Sequence, residues 1–427
     1  MDEKVVAVLG TLDTKGVEAA YLKECVRRAG QPALLIDTGV LAEALVPADV
    51  AREAVAQAGG TSLKALREAG DRGQAVVAMG RGAAVLLANL HRAGRLVGVV
   101  GLGGSAGTSI AATAMQALPV GLPKLIVSTM ASGDTRAYVG VKDVTLMYSV
   151  VDIAGLNRFS REVLGNAAAA IVGMAARYAG REAASSEEKP LIAATMFGVT
   201  TPCVTCAREY LESRGYEVLV FHATGTGGRA MEGLVADGFI DGVLDVTTTE
   251  WADELVGGIL SAGPHRLEAI GRRGIPHVVA PGALDMVNFG PRDTVPAQFA
   301  SRLLYQHNPQ VTLMRTTVEE NRQLGQILGQ KLNLAPEQVE VFLPLGGVSA
   351  IDREGQPFYD PAADAAFRDS LRATLNPAIP IHEMPAHIND EAFALAMARR
   401  LEEMVQQRRE GQAVASQPSM REAHHRA

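Results

Sequence analysis

The chain has 427 residues, 48% of them hydrophobic but only 4% aromatic, with 44 glycines and a net charge of −7. That length exceeds one ordinary core and predicts two domains, while the acidic balance, with no long basic run, argues against nucleic-acid binding, which needs a phosphate-neutralising surface. Three cysteines, Cys25, Cys203 and Cys206, are too few for a disulfide scaffold and point to a reducing compartment. The acidic start MDEKVVAVLG does not read as a signal peptide, and no apolar stretch approaches the ~20 residues of a membrane helix. The expectation is a soluble, cytoplasmic protein with neither nucleic acid nor membrane as a partner.

In chain order, strands are expected near 5–9, 33–36, 96–100, 124–127 and 144–148. Helices are expected near 17–28, 49–59, 62–69, 82–93 and 108–116, and an alanine-rich helix over 161–178. The polar, proline-ended EAASSEEKP, within 182–190, reads as a linker. Further strands follow near 191–195, 217–221, 242–246, 277–280, 311–315, 339–343 and 379–383, then a helix from 390 to about 407. Residues 408–427 lack periodicity and read as a disordered tail. KVVAVLGTLDTKG and KPLIAATMFGVTT each open a β-loop-α-β unit whose second strand ends in Thr-Gly, at Gly39 and Gly225. The expected fold is α/β: two Rossmann-like, doubly wound and mainly parallel domains, 1–181 and 191–407, facing a cleft.

Ligands of such sheets sit beyond the carboxyl ends of the strands, where helix N-termini offer free N–H groups. In the first half the loops GTLDTKG, MGRG, GLGGSAGTS and STMASGD fall there. Gly103 and Gly104 would let backbone approach a phosphate, with Ser105, Thr108 and Ser109 adding hydroxyls. The pattern is neither G-x-G-x-x-G nor a Walker loop, and a tight structural turn is the alternative. In GTLDTKG, Lys15 could neutralise phosphate, Asp13 could hold Mg²⁺ or a ribose hydroxyl, and Thr11 and Thr14 could donate; a plain helix cap is the alternative.

In the second half, Thr224, Thr226 and Arg229 beside Gly225, Gly227 and Gly228 suggest a second anion pocket that takes the substrate. Asp245, Glu250, Asp285 and Asp352 bring acids to the same edge, which suits metal-assisted or acid–base chemistry, with helix caps as the alternative. The lone CVTC is no zinc site. HEMPAH is not H-E-x-x-H; His387 with Asn389 and Asp390 reads as cleft lining, with a structural role for His382 as the alternative.

Seven ordered segments, GTLDTKGVE, GLGGSAGTS, STMASGD, HATGTGGRAME, DVTTTEWADELVGG, GALDMVNFG and AHINDEAF, span nearly the whole chain. Together they resemble an uncharacterised bacterial and plant family related to the ATP-binding amino-terminal domain of the tomato mosaic virus resistance protein. The resemblance implies two Rossmann-like domains, ATP held by the first, and a homodimer. Nucleotide contact carries over to Gly10, Thr11, Asp13, Thr14 and Lys15, to Gly103, Gly104, Ser105, Gly107 and Thr108, and to Ser132 and Gly133. The plant relative continues into a phosphoenolpyruvate-hydrolase-like barrel, so a separate barrel protein is a candidate partner. The expected function is ATP binding, with Mg²⁺ as companion, joined to action on or sensing of a small anionic metabolite in the cleft, where Asp245, Glu250 or Asp285 would polarise it. A metabolic enzyme for a phosphorylated or carboxylated substrate, with no ATP requirement, and a nucleotide-gated interaction module are the alternatives.

Overall fold

The computed structural model describes residues 3–180 and 189–416, which form two compact units dividing between Ser185 and Ser186. Most of the expected linker, and residues 417–427 of the expected tail, lie outside the described residues.

The first unit runs β1 (Val5–Gly10), α1 (Leu12–Arg28), β2 (Ala33–Asp37), α2 (Arg52–Ala58), α3 (Leu63–Ala69), α4 (Arg72–Arg92), β3 (Leu96–Gly103), α5 (Ser105–Gln116), β4 (Lys124–Ser128), α6 (Arg136–Val139), β5 (Thr145–Tyr148) and α7 (Arg158–Ala179). Its five strands are all parallel, in the order β2-β1-β3-β4-β5. Apolar runs such as VVAVLG are buried on both faces, as a helix-covered parallel sheet requires. Ala7 and Leu9 join the core that includes Val55, Met79 and Ala111, while Val6 and Val8 join the one that includes Leu22 and Ile171.

The second unit runs β6 (Leu191–Met196), α8 (Thr201–Ser213), β7 (Glu217–His222), α9 (Thr226–Asp237), β8 (Gly242–Thr247), α10 (Glu250–Val256), α11 (Glu268–Arg273), β9 (His277–Gly282), β10 (Met286–Phe289), β11 (Leu304–Asn308), β12 (Val311–Arg315), α12 (Val318–Leu332), β13 (Val339–Pro344), α13 (Pro361–Thr374), β14 (Ile381–Met384) and α14 (Glu391–Ser416). Read from β7, its parallel sheet has the order β7-β6-β8-β9-β13-β14. The first five strands therefore repeat the winding of the first unit, and the α/β, doubly wound expectation holds for both.

Three expectations are corrected. The strand at 311–315 exists, but it is the centre of a separate antiparallel sheet, β10-β12-β11. The last helix continues to Ser416, through residues assigned to a disordered tail. MGRG is no strand-end loop, because Met79–Gly82 lies inside α4. There a Cβ on Gly82 would collide with the Val55 carbonyl, so the glycine is what lets α4 approach α2. α4 is also long and apolar enough, by length and composition alone, to cross a membrane, yet its Met79, Ala83 and Leu87 are part of the first unit's core.

Gly82→Ala should therefore lower stability by about 1–3 kcal/mol through overpacking, read as a lower denaturation midpoint by circular dichroism. Gly173→Ala, in α7 with open space around its Cα, should raise it by about 0.5–1 kcal/mol.

Candidate functional site

In the first unit the strand order reverses between β1 and β3, so α1 and α5 begin on either side of a crevice at their carboxyl ends. A cavity of about 570 Å³ opens there. Thr11, Asp13 and Thr14 from the β1–α1 turn line it, with Thr38 to Leu41 after β2 and Ala106 and Ile110 of α5. Leu66, Arg67, Arg72 and Val76 from the α3–α4 corner close the other wall. Neither α1 nor α5 has a side chain capping its first turn from the N-cap position, where Thr11 and Gly104 stand.

Two buried carboxylates shape this mouth. Asp37 Oδ1, at the end of β2, accepts from Leu12 N at 3.0 Å and Gly39 N at 2.8 Å. Burial pushes Asp37 above the usual carboxylate range, against the pull of those two N–H groups and of Arg52. Asp13 Oδ2 accepts from Leu41 N at 2.8 Å. Both acids are thus committed to holding the 38–41 loop.

The nucleotide-contact residues read from sequence divide accordingly. Thr11 and Thr14 reach the cavity with their hydroxyls 2.9 Å apart. Lys15 does not line it: its ammonium donates to Ile153 O, on the segment before α7, and its backbone breaks the helical geometry of α1. Gly10 abuts Ala19 and Gly103 abuts Gly107, close packing of strand against helix. Thr108 is buried, its hydroxyl 2.7 Å from Ser128 Oγ. Gly104, Ser105 and Gly107 form the start of α5 beside Ala106, while Ser132 and Gly133 sit exposed in the turn after β4. Sequence reasoning missed Arg67 and Arg72. The only available signal was the Gly-Asp corner EAGDRG that joins their helices.

The second unit is arranged differently. Its expected anion pocket is filled from within: Glu250 Oε1 accepts from Gly225 N at 2.7 Å and Gly228 N at 3.0 Å, at the N-terminus of α9. A Cβ on Gly228 would strike that carboxylate. Thr226 and Arg229 point to solvent, and Thr224 Oγ1 donates to His222 O. The other Glu250 oxygen meets Arg266 Nε at 2.9 Å, and Arg266 grips Asp245 with two bonds of 2.7 Å. Glu232 completes the set, accepting from Leu267 N and Ala269 N. Burial opposes ionisation of Asp245, but Arg266 and His277 hold it well below the usual range.

Asp285 lies in a second buried group with Asp352, Asp364 and Arg315. One of its oxygens accepts from Ser349 Oγ at 2.8 Å and the other has no partner among the described residues. Burial pushes Asp285 up to about 6, with Arg315 opposing. It pushes Asp352 to about 6 and Asp364 to about 7, helped in each case by a neighbouring carboxylate. His387 is buried and satisfied, Nε2 facing Ser349 O at 2.8 Å and Nδ1 accepting from Asn389 N. Cys203 is buried and its thiol is pushed far up by desolvation. No group of three or more His, Cys, Asp or Glu side chains suited to a metal gathers among the described residues.

The arrangement defines a protein of two doubly wound α/β units, one with an open crevice at its switch point and one whose corresponding acids are turned inward. The chain belongs to the UPF0261 family: residues 4–180 match "Uncharacterised protein family (UPF0261) N-terminal domain" and residues 189–405 the corresponding C-terminal domain. It is 54% identical over 407 residues to a UPF0261 protein of Clostridium tetani, covering 95% of this chain and 100% of that one. It is 49% identical over 395 residues to a UPF0261 protein of Rhizobium meliloti, covering 92% and 97%. The ToMV resistance protein Tm-1(GCR237) of Solanum lycopersicum is 49% identical over 333 residues, 76% of this chain but 44% of the plant protein. The resemblance read from the seven motifs is thereby borne out.

Two expectations for the second unit follow. The folded pKa values of Asp285, Asp352 and Asp364 lie above the unfolded value of about 3.9. Their contribution is therefore complete below about pH 4 and declines as pH rises through 6 to 7. Unfolding followed by fluorescence of Trp251, the single tryptophan, should show a midpoint falling between about pH 5.5 and about pH 8. Asp364→Asn should flatten that fall; an unchanged slope would contradict the assignment. Asp245→Ala leaves Arg266 without its bidentate partner inside the core, and should cost about 3–5 kcal/mol in the same assay.

Proposed function

We propose that the first unit is a small-molecule-binding domain whose cavity takes a nucleotide, with ATP as the candidate. The observation that carries this reading is the 570 Å³ cavity at the β1/β3 switch point, bordered by the starts of α1 and α5. Its size lies within the range of small-molecule sites, about 300–1,000 Å³. Val40, Leu41, Leu66, Val76 and Ile110 offer an apolar wall for a base, and the N–H groups at the start of α5 suit a phosphate. Asp13 has one oxygen committed to Leu41 N, so Mg²⁺ would arrive with the phosphates and keep several waters, as that ion ordinarily does.

One observation favours the alternative, a phosphorylated or carboxylated metabolite with no ATP requirement. Asp37, at the β2 end where ribose hydroxyls are commonly read, is spent on Leu12 N and Gly39 N. Asp245 and Glu250 are committed to Arg266 and do not enter the proposal as catalytic groups.

Calorimetric titration of Mg·ATP into the full chain tests the reading. Gly104→Asp is the discriminating variant, because it places a carboxylate at the start of α5 where a Cβ fits, 3.7 Å from Thr129 Oγ1. It should leave thermal stability unchanged or slightly raised and weaken ATP at least about tenfold by charge repulsion. No saturable binding by the intact chain would sink the nucleotide reading in favour of the metabolite.

A further inference from the structure

Arg67 and Arg72 stand on the cavity wall without an acidic partner among the described residues, in a chain of net charge −7. Arg67 lies in the last turn of α3, and its Nε donates to Val40 O at 2.6 Å. That bond anchors the guanidinium to the cavity's own rim and leaves both Nη groups without a partner among the described residues. Arg72 is the first residue of α4, where a cation opposes the helix dipole. No ion pair within the described residues offsets that cost. The two carboxylates in the same lining are engaged: Asp71 accepts from Gln74 N at 3.0 Å and Asp13 from Leu41 N at 2.8 Å.

Gly70, with φ of 62°, turns the chain between α3 and α4, so the corner presents both guanidiniums to one wall. Thr11 and Thr14 share the lining, and their hydroxyls are the neutral polar groups of the β1–α1 turn. The cavity therefore combines apolar lining with a corner where two guanidiniums outnumber the one carboxylate of Asp71.

We propose that Arg67 and Arg72 form a clamp for the terminal anionic group, phosphate or carboxylate, of the ligand held in this cavity. The inference deepens the binding-site reading above and rests on the cavity being a ligand site; it does not require that ligand to be ATP. A guanidinium already fixed through Nε offers a planar pair of donors to an oxyanion, which suits bidentate recognition. The ligand class is a molecule with an apolar or aromatic body and an anionic end directed at the α3–α4 corner.

The test compares the wild-type chain with Arg67→Gln, Arg72→Gln, the double variant, and Arg81→Gln, a charge control on α4 outside the lining. Titration uses Mg·ATP and adenosine. Thermal shift uses inorganic pyrophosphate and citrate, so that phosphate and carboxylate chemistry are read separately. Each single variant should weaken Mg·ATP by about tenfold, as expected for loss of a charge-assisted hydrogen bond, while adenosine binding and the control stay at wild-type values. Pyrophosphate or citrate should raise the melting temperature of the wild type and of Arg81→Gln but not of the double variant. Anion stabilisation that depends on the arginines, with no ATP binding by the wild type, would uphold the clamp and remove the nucleotide. ATP affinity equal in all variants overturns the clamp and leaves the nucleotide in place. Absence of any response of the wild type to all four probes overturns the clamp as well.

Discussion

Each unit winds its first two strands one way across the sheet and then returns to add the third on the other side of the first. That reversal is the constraint from which the rest follows. Helices leaving neighbouring strands must cross to opposite faces, and the carboxyl ends between them are left uncovered. The exposed N–H groups there are met by water, by a ligand or by the chain's own acceptors. The first unit leaves the place open and spends its carboxylates on shaping the rim. The second closes it, with Glu250 set on the N-terminus of α9 and tied to the core through Arg266.

The buried charges explain why residue types that suggest chemistry serve structure in the second unit. A guanidinium 2% exposed cannot stay in an apolar core without partners, and Arg266 has three carboxylates around it. Glu250 and Glu232 in turn accept from the backbone of α9 and α11, and Asp245 from the Thr195 hydroxyl, so one ionic knot ties several segments of the sheet edge together. The group around Arg315 is the reverse case. Burial, helped by neighbouring carboxylates and opposed by Arg315, raises Asp285, Asp352 and Asp364 above the usual carboxylate range, where Asp245 beside Arg266 is held below it.

Much of the fold was legible from sequence. Continuous apolar runs marked the parallel strands, and the repeated β-loop-α-β wording marked two units of the same winding. What escaped notice depended on contacts between distant segments. MGRG looks like loop chemistry, yet its second glycine serves a helix-to-helix approach that only the position of Val55 reveals. The strand at 311–315 is apolar enough for either sheet, and its partners at 286–289 and 304–308 gave no parallel-strand signal. For the site, the β1–α1 turn was legible because its threonines are local to the strand end. Lys15 was misleading, since a kink in α1 sends its amine to Ile153. Arg67 and Arg72 were silent because a helix corner reaches the crevice only in three dimensions.

Glu250 has one more consequence. An anion covalently part of the chain meets its seat at an effective concentration that a free ion cannot match. The start of α9 is therefore saturated at every anion level a cell offers, and the stabilisation it gives is constant where a dissociable ligand's would vary with supply. One copy of the winding thus carries its own anion at this place, while the corresponding edge of the other stays open.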